Sequence, residues 1–367
     1  MFALNGALYG IWASRIPAIA QRHDLDAGDL GQLLLLLAGG AIAAFPLAGR
    51  FADRLGAAYI TLRIAVAYVA ALALIALAPN TATLALTLFL FGATHGAMDV
   101  AMNTWAGEAE AHIKRAVMSS FHAMFSLGAG LGAASGFAAE HWGIGVPIHF
   151  IGVGIGIAIP TLILASIGWV SPRQTNVSAT PLFPFPKGPL VAVGLIAFCT
   201  SMGEGAMVDW SALLLIETTA VSAAHAALGY TVFSVAMVIT RLLGDQATQA
   251  FGPTLTARIA GIIATTGAVC AIATGSYSVA LVGIGLMGIG YAVIMPLAFS
   301  RAANDPNLPP GTAIASVSTL GYGGLLLGPP LSGFIADAST LRTGFGALAV
   351  RAAMIIVLAY AVRRPGA

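Results

Sequence analysis

An all-α integral membrane fold, twelve transmembrane helices in two pseudo-symmetric six-helix bundles, is predicted by the composition, the count of apolar runs and an internal repeat. Hydrophobic residues fill 58% and charged residues 8% of the 367 positions, with a mean hydropathy of +0.91. Soluble domains carry about 25% charged residues, so the lipid bilayer is this chain's main solvent and partner. A spanning helix needs about 20 apolar residues, which allows roughly twelve spans here. The runs fall at 2–20, 30–49, 59–78, 82–105, 117–139 and 145–169, then at 190–215, 223–243, 255–275, 278–300, 311–335 and 343–362.

The first run has no positive lead and is interrupted by Arg15, so Ala18-Ile19-Ala20 reads as helix and not as a signal-peptide cleavage site. Runs two and three are joined by Gly49-Arg50-Phe51-Ala52-Asp53-Arg54-Leu55-Gly56. Charge concentrated there predicts a short cytoplasmic hairpin. Run four carries His95, Asp99 and Asn103, and run five carries His122 among glycines. The stretch 171–189, with Pro172, Pro181, Pro184, Pro186 and Pro189, predicts an extended cytoplasmic linker between a bundle at 1–170 and another at 190–367. Run seven holds Glu204 and Asp209, run ten Tyr291, and the last run encloses Arg351. Cys199 and Cys270 both fall inside runs and are too few for a disulfide framework.

Orientation follows from Lys and Arg, which stay in cytoplasmic loops. One set of loops holds Arg50, Arg54, Arg63, Lys114, Arg115, Arg173, Lys187, Arg241, Arg258, Arg301, Arg363 and Arg364, against Arg15, Arg22 and Arg342 in the other. That 12 to 3 split places both termini in the cytoplasm. The net charge of +2 thus reflects topology and implies no nucleic-acid partner.

The repeat is direct. Ser135-Gly136-Phe137-Ala138-Ala139-Glu140 recurs 197 positions later as Ser332-Gly333-Phe334-Ile335-Ala336-Asp337. Asn5-Gly6-Ala7 echoes Glu204-Gly205-Ala206, and Arg241, Gly244, Asp245 and Gly252 loosely echo the octapeptide. Repeats of this kind predict a midplane site served by two bundles.

The Gly-x-x-x-Asp-Arg-x-Gly spacing of the octapeptide is similar to the loop joining helices 2 and 3 in the major facilitator superfamily of secondary transporters. Trp12-Ala13-Ser14-Arg15-Ile16-Pro17-Ala18, Met98-Asp99-Val100-Ala101-Met102-Asn103, Ser120-Phe121-His122-Ala123-Met124-Phe125-Ser126 and Glu204-Gly205-Ala206-Met207-Val208-Asp209-Trp210 resemble its fucose-permease-like and MosC-like subgroup. The chain departs from the family with Ala57-Ala58 where a basic pair is usual and Gln246 where a basic residue is common. The resemblance implies a cytoplasmic gate at Gly49, Arg50, Asp53, Arg54, Gly56, Arg241 and Asp245, in which a carboxylate meets a neighbouring helix end or arginine in one conformation and leaves it in the other. It also implies a cavity lined by helices 1, 4, 7 and 10, hence by Asn5, Tyr9, Trp12, Arg15, His95, Asn103, Asp209, Trp210 and Tyr291, to which Tyr322 of the eleventh run is added as an aromatic surface.

A charge at a helix centre costs about 2.5–3.5 kcal/mol on insertion scales, so each one needs a partner, water or a proton. His95 and Asp99 are four residues apart and share a helix face, with Asn103 one turn on. Glu204 is the first candidate proton carrier, because a carboxyl partly withdrawn from water can exchange its proton as its surroundings change. Asp99 is its rival, and His122 is placed to stabilise or relay Asp99's proton. His149 reads as a packing histidine. Three acids against one arginine argue for neutral polyhydroxy compounds or amines over phosphates and dicarboxylates, with Tyr9, Trp12, Trp210, Tyr291 and Tyr322 as stacking surfaces.

No Gly-x-Ser-x-Gly elbow, phosphate-binding loop or His-Glu-x-x-His motif occurs. The expected activity is therefore not enzymatic. It is proton-coupled secondary transport of a small polar solute, such as a sugar, polyol or amino sugar, by alternating access. The expected setting is the plasma membrane of a bacterium, with a monomeric functional unit, the proton as coupling ion and no metal or other cofactor. The alternatives are a proton-coupled exporter of amphipathic or cationic metabolites and a membrane sensor that has kept the fold without transport.

Overall fold

The computed structural model describes residues 1–173, 185–226, 228–273 and 275–363. The middle of the expected linker, 174–184, and Arg364 lie outside the described residues, as do most side chains of the second hexapeptide copy. The described residues form helices joined by turns and loops, with α1 (Phe2–Ser14), α2 (Ile16–Arg22), α3 (Ala27–Leu55), α4 (Ala57–Leu77), α5 (Thr81–Ile113), α6 (Met118–His141) and α7 (Val146–Ala165). These are followed by α8 (Pro189–Thr219), α9 (Ala223–Ala226), α10 (Leu228–Ala273), α11 (Tyr277–Ala292), α12 (Ile294–Ala303), α13 (Pro310–Ala338) and α14 (Leu341–Leu358).

Glycine and proline explain why these segments map onto twelve spans. Pro17 has no N–H to bond the carbonyl of Ala13, and the first span breaks at Arg15 into α1 and α2. Gly252, at φ 75°, splits α10 into two spans ahead of Pro253. The tenth span breaks at Val293 into α11 and α12, three residues before Pro296. Eight of the described helices are long and apolar enough to cross a membrane. Counting α10 twice and adding the α1–α2 pair, α6 and α13 gives twelve. The octapeptide is not the loop its charges suggested. Helix α3 runs through Leu55, and the turn shrinks to Gly56, whose φ of 98° only glycine adopts readily.

By contact the chain divides into two compact units. The first comprises Met1–His112, Phe121–Pro184 and Asn307–Ser316, and the second Ile113–Ser120, Phe185–Pro306 and Val317–Ala367. Their interiors repeat one packing scheme. In the first unit Gly128 and Gly132 of α6 lie on the carbonyls of Ala3 and Ala7 in α1, so closely that a Cβ would collide. In the second, Gly324 of α13 lies in the same way on Phe198 of α8, and Gly328 one turn on packs closely against Met202. Gly92 on Leu37 is matched by Gly288 on Phe233. Lipid gives no hydrophobic drive for helices to associate, so backbone approach through small residues supplies the packing. The internal repeat is thus a repeat of contacts as well as of letters.

Candidate functional site

Two of the residues expected in a gate, Asp53 and Asp245, cap helix starts, one in each unit. In the first, Asp53 near the end of α3 accepts the N–H of Gly311 (2.8 Å) and of Thr312 (2.9 Å), and the Thr312 hydroxyl at 2.7 Å. These donors are orphans at the start of α13, and the carboxylate meets both them and the positive end of the helix dipole. Gly49 makes the approach possible, since its backbone lies against Gly311 with no room for a side chain. In the second unit Asp245 of α10 accepts the N–H of Ser119 (2.9 Å) and Ser120 (2.8 Å) at the start of α6. Arg54 is exposed, and Gly56 is the turn itself.

Arg241 departs from its expected place in a cytoplasmic loop. The run ending at 243 continues as helix to Gly252, so Arg241 lies well inside α10 and is buried. Its Nη2 stands 3.8 Å from Oε1 of Glu204 on α8, and its Nε donates to the carbonyl of Ala292 at 3.3 Å. That carbonyl is available because Pro296, four residues on, has no N–H for it. The backbone carbonyl of Arg241 accepts the Ser119 hydroxyl at 2.8 Å, so one residue touches both the acid and the capped helix start.

Around Glu204 other polar groups gather. Tyr291 of α11 is fully buried, its ring against Gly203, where a Cβ would strike the phenol. Its hydroxyl, the Thr200 hydroxyl, Glu204 Oε1 and Arg351 Nη1 have no hydrogen-bond partner among the described residues. Glu204, Arg351 and Cys199 all act electrostatically on Tyr291. The count of one arginine against three acids is thereby corrected. Arg241 pairs with Glu204 and Arg351 acts on Tyr291, whereas Asp209 is exposed. Trp210 and Tyr322 of this unit are half-buried.

The first unit carries a different arrangement. His95 Nδ1 of α5 lies 3.0 Å from Asn5 Oδ1 and 3.0 Å from the Tyr68 hydroxyl, and its ring stacks on Tyr9 at 5.0 Å. Asn5 Nδ2 reaches Met102 Sδ at 3.6 Å. Asp99 and His95 share a helix but turn to different partners. Asn103 donates to Asp99 Oδ1 at 3.1 Å, and its Oδ1 meets His122 Nε2 at 3.1 Å. The expected Asp99–His122 relation is therefore routed through Asn103. Trp12 is buried against Phe91. Arg15 pairs with Glu140 at 3.2 Å and donates to the Ile144 carbonyl, away from Asn5 and His95. His149 meets Ser135 at 3.0 Å.

Sequence reasoning missed Tyr68 and Thr200, whose hydroxyls stand within apolar or small-residue stretches, and gave Arg351 no role. The signal for Arg351 was present, since a charge inside a spanning run requires a partner.

The model of the Major Facilitator Superfamily matches residues 1–307. An uncharacterised transporter of Sinorhizobium fredii is 43% identical over 361 residues, covering 98% of this chain and 95% of that one. The membrane protein MosC of Rhizobium meliloti is 31% identical over 342 residues, covering 92% and 82%. Among solved structures, the E. coli fucose:proton symporter FucP aligns over 99% of this chain and 97% of its own at a TM-score of 0.78 and 17% identity. The proton:xylose symporter XylE aligns over 97% and 93% at a TM-score of 0.77 and 14% identity.

Proposed function

Since the chain belongs to the Major Facilitator Superfamily and is a membrane transporter, not an enzyme, we propose that it moves a small polar solute by alternating access coupled to proton movement. The observation that carries this reading is the double engagement of Arg241. Its guanidinium faces Glu204 while its carbonyl holds Ser119, whose N–H is capped by Asp245. Ionised Glu204 attracts the guanidinium, and protonated Glu204 does not. A proton on Glu204 thus loosens a residue that also secures the start of α6. The caps made by Asp53 and Asp245 are the contacts that the conformational change breaks and reforms, each leaving helix donors for water to satisfy.

Asp99, wired through Asn103 to His122, is the second proton-handling group. Asn5, Tyr9, Trp12 and His95 offer polar and aromatic surface suited to a hydroxylated solute. FucP and XylE share the fold and are proton symporters of fucose and xylose; proton-coupled movement of a comparable solute is the version proposed here. The protein works as a monomer in a bacterial plasma membrane, with both termini cytoplasmic.

The test is internal pH in proteoliposomes during additions from a panel of sugars, polyols, sugar acids and amines. Solute-dependent proton movement that is lost in Glu204→Gln supports the proposal. Outward proton exchange against the solute would make the protein an exporter. Binding without flux of proton or solute would replace coupled transport with sensing.

A further inference from the structure

We propose that the group around Glu204 in the second unit is a binding site for a carboxylate, so that the solute is a monocarboxylic acid such as a sugar acid or hydroxy acid. This rests on the transporter reading and refines it. With Glu204 ionised and paired with Arg241, Arg351, the other arginine that acts on Tyr291, keeps a positive charge with no ion pair among the described residues. A cation in an apolar interior demands a partner, and the demand grows as water is withdrawn.

The hydrogen bonds point the same way as the charges. Arg351 Nη1, the Tyr291 hydroxyl and the Thr200 hydroxyl are buried without a partner, and Tyr291 and Thr200 are both fully shielded from solvent. Each can donate. The acceptor available in the group, Glu204, stands 3.8 Å from Arg241 Nη2, beyond the 2.7–2.9 Å or so of a formed guanidinium–carboxylate bond. A carboxylate on the solute would bring two acceptor oxygens and one negative charge, matching both deficits, and a guanidinium presents the planar fork that receives it. A neutral polyol would satisfy the hydroxyls but leave the charge. An amine would add to it.

Matched pairs of probes that differ only at the acid decide the matter: gluconate against sorbitol, and lactate against propane-1,2-diol. The intact protein in lipid nanodiscs is scanned for its unfolding temperature with each, sodium chloride being added at equal ionic strength as the control. The expected result is a rise of several degrees with an acid member and none with its neutral twin or chloride. Arg351→Gln should weaken the acid's apparent affinity at least tenfold, Arg351→Lys should retain part of it, and Thr200→Val should cause a smaller loss. Size-exclusion profiles of each variant separate a lost site from a lost fold, and a misfolded Arg351→Gln leaves the decision to Arg351→Lys and Thr200→Val. Equal responses to acid and neutral members, a response to chloride alone, no response to either pair, or variants that bind as wild type would overturn the inference. Proton flux driven by sorbitol alone would overturn it while leaving the transporter reading intact. Gluconate binding without flux would do the reverse.

Discussion

Two clusters of buried polar groups, one in each unit, differ in how they are satisfied. In the first, Asn5, Tyr68, His95, Asn103 and His122 are bonded to one another or to Asp99. In the second, Thr200, Glu204, Tyr291 and Arg351 hold atoms with no hydrogen-bond partner among the described residues. A satisfied network holds helices in one arrangement, whereas an unsatisfied buried group has a reason to bind something else. Two bundles with the same glycine packing have thus been given different polar interiors. Fold and chemistry are separable within one chain.

The difference can be broken most severely at Glu204. Glu204→Gln should lower solute-driven proton flux by about 100-fold, the effect expected of a residue that carries the coupled proton. Asp99→Asn, whose neighbour Asn103 can still bond the amide, should cost only about tenfold. Proteoliposome pH traces compare the two, and equal losses would erase the proposed division of labour. Next in size is Arg241→Gln, which leaves the Glu204 charge without its partner and should destabilise the protein by about 3 kcal/mol. Adding Glu204→Gln should recover most of that in thermal unfolding, and additive losses would show that the 3.8 Å pair is not coupled.

Packing offers an intermediate test. Gly132→Ala and Gly324→Ala each drive a methyl into a backbone carbonyl of the facing helix and should cost about 1–3 kcal/mol. Similar penalties would support the shared scheme, and a tolerated substitution at one position would break it. The smallest effect is expected of Tyr68→Phe, which removes one hydroxyl from a network that keeps its other bonds. A loss of about 1 kcal/mol, with proton coupling unchanged, would mark the first unit's network as structural.

The meeting of Asp53 with a helix end was legible because helix geometry is local. An acid beside a glycine turn at the end of a spanning run is ready to cap another helix, and Asp53 does so. Its target was not legible, since Gly311 and Thr312 lie 258 and 259 positions away. Arg241 was misplaced because apolarity fades after residue 243 while the backbone stays helical to Gly252. The Gly252-Pro253 pair was the better end signal. His95 and Asp99 share a helix face by spacing, yet their partners come from α1, α4 and α5 itself, which spacing cannot reveal. Arg351 was visible as a charge in an apolar run, but which neighbours it meets is decided by helix rotation, and that emerges only from packing.

The carbonyl of Ala292, given up by Pro296 and taken by Arg241, also bears on the order in which the chain is made. When α10 leaves the ribosome, Glu204 is already in place but α11 has not yet emerged behind it. Arg241 then enters the bilayer lacking one of its later partners, at the stage when an intramembrane guanidinium is most expensive to hold. Secure placement of α10 therefore waits for α11. A nascent chain ending before Ala292 is expected to have α10 loosely inserted and open to quality-control proteolysis, and one extended past Pro296 to be protected.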